Sequence, residues 1–108
     1  MTRKMLEGND EDQLIIVFDG FCNYEELEEV RRTLKEEIEM ERINISYLGW
    51  GDSAEGTTFL NGIELLWKFS NWDSIQLEYL NPKDEASREV VRQWAKLIYT
   101  NLIKKFGE

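Results

Sequence analysis

Histidine is absent from this 108-residue chain, and cysteine and proline occur once each. Without histidine there is no imidazole base, no Ser-His-Asp or Cys-His nucleophile and no His-containing zinc site. A single cysteine forms neither an intrachain disulfide nor a CxxC motif, so cysteine usage points to a reducing compartment and a cytoplasmic location. Long apolar runs are missing too. Nothing approaches the roughly 18 residues of a spanning helix, and the N-terminal residues lack the apolar core of a signal peptide. Positive charge is scarce: 13 Lys and Arg stand against 22 Asp and Glu, a net charge of −9. That excess repels phosphate backbones and anionic lipids, which argues against nucleic-acid or membrane binding.

What remains is enough to fold. The apolar share is 42% with 12% aromatic residues, too rich for disorder despite a mean hydropathy of −0.52. A chain of this length fits one domain and buries roughly two-thirds of its unfolded surface. The charge is uneven along it: −7 over residues 1–40, −4 over 41–80 and +2 over 81–108. An acidic balance speeds encounter with a basic protein, and it also serves plain solubility.

Residues 1–12 mix Lys, Glu, Gly and Asn without periodicity and read as a flexible lead-in to a single domain over 13–108. Leu14, Ile15, Ile16, Val17 and Phe18 form a continuous apolar run ending at Asp19-Gly20, the pattern of a strand buried on both faces. Asn23 is placed to cap a helix, with Glu26 three residues on to complete a capping box. Tyr24, Leu27, Val30, Leu34 and Ile38 recur at helical spacing as far as Glu41. Ile43, Ile45 and Tyr47 alternate with polar residues as a second strand, and a Gly-rich stretch, Gly49 to Gly56, follows as a loop.

Residues 57–69 carry two patterns. Asn61, Glu64, Lys68 and Asn71 make one polar helical stripe, whereas Asn61-Gly62 is a hairpin dipeptide and Ile63, Leu65, Trp67 and Phe69 alternate. Leu66 breaks that alternation, and the helix is the reading taken here. Ile75, Leu77 and Tyr79 alternate as a third strand, and a wide apolar stripe from Val90 to Phe106 marks a final helix over about 84–105. The order β-α-β-α-β-α predicts an α/β or α+β domain with a short, mostly parallel sheet packed by helices. If 57–69 is a hairpin, a larger mixed sheet results.

Several side chains are candidates for function. Cys22, between a strand and a helix cap, is placed either as a reactive thiol or as a packed residue. Asp19, Asp52 and Asp84 follow predicted strands, where a parallel sheet binds ligands, and oxygen donors suit Mg²⁺. Asp is equally a standard turn residue, and no phosphate-binding loop accompanies these three. Trp50, between glycines and near Asp52 and Glu55, is either an interface anchor or a lid folded over the core. Trp67, Trp72 and Trp94 lie on or near apolar faces. Glu25, Glu28 and Glu29, with Glu36 and Glu39, read as an outward acidic face of the first helix.

Small size, acidity, aromatic content and missing catalytic groups resemble, in a general way, immunity proteins and other inhibitors of basic enzymes. The likeness is one of composition and transfers no residues. Together these features predict a non-enzymatic, acidic protein-binding module of the inhibitor, immunity or adaptor kind. It would dock Trp50, Asp52, Glu55, Glu25, Glu28 and Glu29 on a basic protein partner and need no cofactor. The alternative is a small Mg²⁺-dependent or nucleotide-binding enzyme or sensor built on Asp19, Asp52 and Asp84. A third possibility is a homo-oligomer joined through the stripe of the C-terminal helix.

Overall fold

A connection of two to four residues joins antiparallel neighbours and never parallel ones. A computed structural model, which describes residues 3–48, 53–70 and 74–107, accordingly shows one six-stranded sheet in which every pairing is antiparallel. The strands are β1 (Lys4–Asn9), β2 (Gln13–Asp19), β3 (Arg42–Leu48), β4 (Ser53–Leu60), β5 (Ile63–Ser70) and β6 (Ser74–Leu80). They lie in the order β1-β2-β6-β5-β4-β3. β3 to β6 form a meander, and the β1–β2 hairpin pairs with its β6 edge. Helix α1 (Tyr24–Arg32) crosses from β2 to the far edge at β3, and α2 (Glu85–Phe106) follows β6.

The domain is therefore α+β, and the expected short, mostly parallel sheet is overturned. Two misread segments account for this. Residues 57–69 are not a helix: β4 and β5 meet at Asn61-Gly62, whose φ values of 52° and 79° are those a two-residue hairpin turn demands. The break at Leu66 is simply a half-buried residue on the sheet's second face. Residues 4–9, inside the expected lead-in, instead pair with β2 from Lys4↔Asp19 to Asn9↔Leu14. The Gly-rich stretch is also shorter than expected, since Ser53 to Gly56 already belong to β4.

Both helices cover one face of the sheet. Leu14, Ile16 and Phe18 of β2, Leu65, Trp67 and Phe69 of β5, and Ile75, Leu77 and Tyr79 of β6 point into that core. Leu27, Val30 and Leu34 from the first helical segment, and Val91, Ala95, Ile98 and Leu102 from α2, meet them. Part of the apolar stripe of α2 is thus buried against the sheet, at Val91, Ala95, Ile98 and Leu102, while Val90 of the same stripe stays 41% exposed. The opposite face carries no described element. β2 is consequently not buried on both faces, because Ile15 and Val17 lie on the open side and stay half-buried.

Local signals hold where they were strongest. Asn23 and Glu26 form the capping box of α1, and Asp84 caps α2 with Ser87 as its reciprocal partner. A π-helical turn (Thr33–Glu37) extends α1, with the Ile38 amide donating to the Thr33 carbonyl at 3.0 Å. Glu39, at φ 61°, ends the helical path before β3.

Candidate functional site

Short polar side chains at the start of α1 set the geometry of one corner of the molecule. The Glu26 carboxylate is only 1% exposed and accepts from the backbone amides of Cys22 and Asn23 at 2.8 and 3.1 Å. Arg3 supplies the compensating charge, with Nη2 2.6 Å from Glu26 Oε2. The same guanidinium stands 4.7 Å over the Phe21 ring and donates to the Phe106 and Gly107 carbonyls at the end of α2. A buried carboxylate so paired and bonded avoids the several kcal/mol that an isolated charge would cost. The first turn of α1 is thereby held rigidly against β1 and α2.

Tyr24 is the first residue of that turn. It is 59% exposed, the most exposed of the large apolar and aromatic residues described. One face of its ring stacks on Tyr47 of β3, with centroids 5.2 Å apart and planes inclined by 18°. The Tyr47 hydroxyl donates to Glu28 Oε2 at 3.1 Å, so the two rings and the helix are tied together. Burial, with the Glu28 carboxylate beside it, pushes the Tyr47 phenol up from its ordinary value and keeps the donor protonated. Arg31 reaches the Ile45 carbonyl at 2.7 Å and stands 3.5 Å from Glu28, closing part of the β3 edge. Glu25, exposed and one residue from Tyr24, makes no ion pair among the described residues.

The acidic helical face is smaller than the sequence suggests. Glu29 does not point outward: it is 5% exposed and is gripped in bidentate fashion by Arg32, at 3.0 and 2.6 Å. Lys105 of α2 approaches it to 3.4 Å. The Arg32 hydrogen bonds hold its carboxyl below the usual range. Arg32 also pairs with Glu36 and Glu37, and Asn101 donates to both Thr33 and Glu37. This network lines an open, polar groove between the π turn and the end of α2, and its charges already answer one another.

The remaining candidates are dispersed. Glu55 lies on β4 opposite Lys68 and Ser46, on the open face, away from the helix that bears Glu25, Glu28 and Glu29. Asp19 pairs with Ser74 at the start of β6, whereas Asp84 follows the end of β6 and spends its carboxylate on the Ser87 amide at 2.7 Å. In an antiparallel sheet successive strands end on opposite sides, so the premise that strand-end carboxylates converge fails. Among the described residues no three His, Cys, Asp or Glu side chains gather to hold a metal ion. Trp50, Asp52 and Trp72 lie outside the described residues. Trp67 is core, its indole donating to Thr58 Oγ1 at 2.9 Å, and Trp94 packs partly buried against the core. Cys22 is half-buried.

Sequence reasoning missed the tyrosine pair. The helical spacing puts Tyr24 on the core stripe of its helix, where the structure leaves it 59% exposed, whereas Tyr47 does lie on a half-buried strand and only its stack on Tyr24 goes unsignalled. The available signal was position: the first residue after an N-cap lies at the helix end, where packing seldom encloses an aromatic ring. Among the described residues no helix is long and apolar enough to cross a membrane. Comparison with family models, with curated proteins and with solved structures finds no match.

Proposed function

We propose that this chain is a non-enzymatic, acidic protein-binding module that docks on a basic protein partner through Tyr24, Glu25, Tyr47 and Glu28. The observation that carries the proposal is the exposed Tyr24 ring fixed by its stack on Tyr47. An aromatic side chain costs about 0.5–1.5 kcal/mol less to bind when it is already immobile, and tyrosine is a favoured anchor of protein interfaces. One face of the Tyr24 ring remains free for a lysine or arginine, which gains both from the ring quadrupole and from Glu25 and Glu28 beside it. The net charge of −9 supplies the long-range attraction.

Affinity capture from a native lysate at low salt, with a stepped salt wash, tests this when run in parallel on wild type, Tyr24→Ala and Glu55→Gln. The expected result is a basic protein retained by wild type and by Glu55→Gln, released as salt rises, and missing from Tyr24→Ala. Retention of the same protein by Tyr24→Ala, or no salt-sensitive protein at all, would overturn the assignment.

A further inference from the structure

The run Leu14-Ile15-Ile16-Val17-Phe18 has the composition of a strand covered on both faces, yet only one face of β2 is covered. Cross-strand register shows what shares the bare side. Leu6 and Val17 are directly paired, Ile15 lies one row on, and Leu80 and Leu66 continue the apolar line diagonally through β6 and β5. Leu6 and Leu80 are 45% and 48% exposed. Leu66 and Leu80 line a shallow groove of about 290 Å³ with Thr57, Glu64 and Glu78. We infer that this open sheet face is a self-association surface, and that its occupant is a second copy of the chain packed face to face as a two-sheet sandwich.

Two observations favour a second copy over a basic partner. The first is charge. Although the molecule carries −9, the described strand residues of this face hold Lys4, Arg42 and Lys68 against Asp19, Glu55, Glu64 and Glu78, a balance of −1. A basic protein has little reason to select the most neutral face of an acidic molecule, whereas two acidic molecules meet at least cost there. The central carboxylate is also already satisfied, since Glu78 accepts from Gln76 at 2.8 Å and from Lys68 at 3.4 Å. Covering Glu78 therefore leaves that carboxylate paired.

The second is area. Six strands about 4.8 Å apart and about seven residues long at 3.4 Å each present roughly 650 Å². A pair would bury about 1,300 Å², within the range of specific interfaces. Sheets packed this way lie about 10 Å apart with strands inclined by about 30°, which lets the diagonal apolar lines of the two copies cross.

Sedimentation equilibrium over roughly two orders of magnitude in concentration tests the proposal on wild type, Val17→Lys and Val90→Lys. Val90 is 41% exposed on α2 and serves as the control on the helical side. The expected result is a wild-type mass that rises from 12.8 kDa toward twice that value, and rises further when added salt screens the repulsion between two chains of −9 each. Val17→Lys should stay monomeric and Val90→Lys should behave as wild type. Should Val17→Lys fail to fold, methyl spectra of wild type at low and high concentration replace it, with shifts expected at Ile15, Val17, Leu66 and Leu80 and not at Val90. A strictly monomeric wild type, or a dimer broken by Val90→Lys alone, would overturn the proposal. So would a monomer whose open face is shifted only by a basic partner. That last outcome leaves the Tyr24 docking proposal to stand or fall by its own capture test, because this surface lies on the other side of the sheet.

Discussion

Replacing Gly56 by alanine should nearly unfold the β3 edge. Gly56 lies in β4 opposite Ile45 of β3 and Trp67 of β5, facing the helices. A Cβ there would overlap the Asn44 carbonyl oxygen and stand 2.6 Å from Ile45 Cα and 2.7 Å from Asn44 C, all of them backbone atoms. Carbon atoms in contact keep about 3.5–4.0 Å, so β3 must retreat by about 1 Å. A retreat of that size stretches the flanking ladder bonds beyond a useful length. Two lost bonds at about 1 kcal/mol each, with overpacking strain of about 1–3 kcal/mol, give a loss of roughly 3–5 kcal/mol. Urea unfolding followed by tryptophan fluorescence would read this as a fall of about 2 M in midpoint. Amide exchange should accelerate first in β3. A variant within about 1 kcal/mol of wild type would refute the claim that β3 and β4 require a side-chain-free position at 56.

Trp67→Phe should cost about 1–3 kcal/mol, because it leaves the Thr58 hydroxyl buried without its indole donor; Trp67→Phe with Thr58→Val should recover part of that loss in the same unfolding assay. Arg3→Ala should cost on the order of 2–4 kcal/mol by abandoning the Glu26 carboxylate, and calorimetry should show the two ends of the chain fraying together. Glu29 and Glu37, held low chiefly by hydrogen bonds from Arg32, add stability above the ordinary carboxylate value near 4.5 and lose it as pH falls through their depressed values. Melting temperature should therefore drop below about pH 4.5, and less steeply in Glu29→Gln. Tyr47 has the opposite sign: its raised value makes its contribution full below pH 10 and lost as pH rises beyond that.

Punctuation was the most legible part of the fold. The capping residue Asn23 begins its helix where side-chain chemistry places it, because a cap depends on residues three apart and on nothing distant. The strands around Ile45 and Leu77 also follow their alternation. Strand pairing was not legible, because it hinged on Asn61-Gly62: one dipeptide decides between a helix with a polar stripe and a hairpin, and Trp67 satisfies either period. β1 escaped notice because an edge strand has little burial to impose a pattern, and only Met5 packs on the core.

For the site, charge alone misled. Glu25, Glu28 and Glu29 look equivalent in the sequence, yet α2 brings Lys105 to Glu29 and β3 brings Tyr47 to Glu28, leaving Glu25 exposed. Asp19 and Asp84 were joined only by an assumed parallel sheet. Tyr24 became visible once β3 was placed beside α1, a contact between residues 23 positions apart in the chain.

The proposed anchor for a basic protein is a fixed, exposed tyrosine beside two carboxylates. Its most direct test is calorimetric titration of the captured partner into wild type and into Tyr24→Ala, each shown to melt within a few degrees of the other. Binding should be weaker by roughly tenfold or more for Tyr24→Ala, and in wild type the affinity should fall as salt rises. Equal affinities for the two proteins would contradict it.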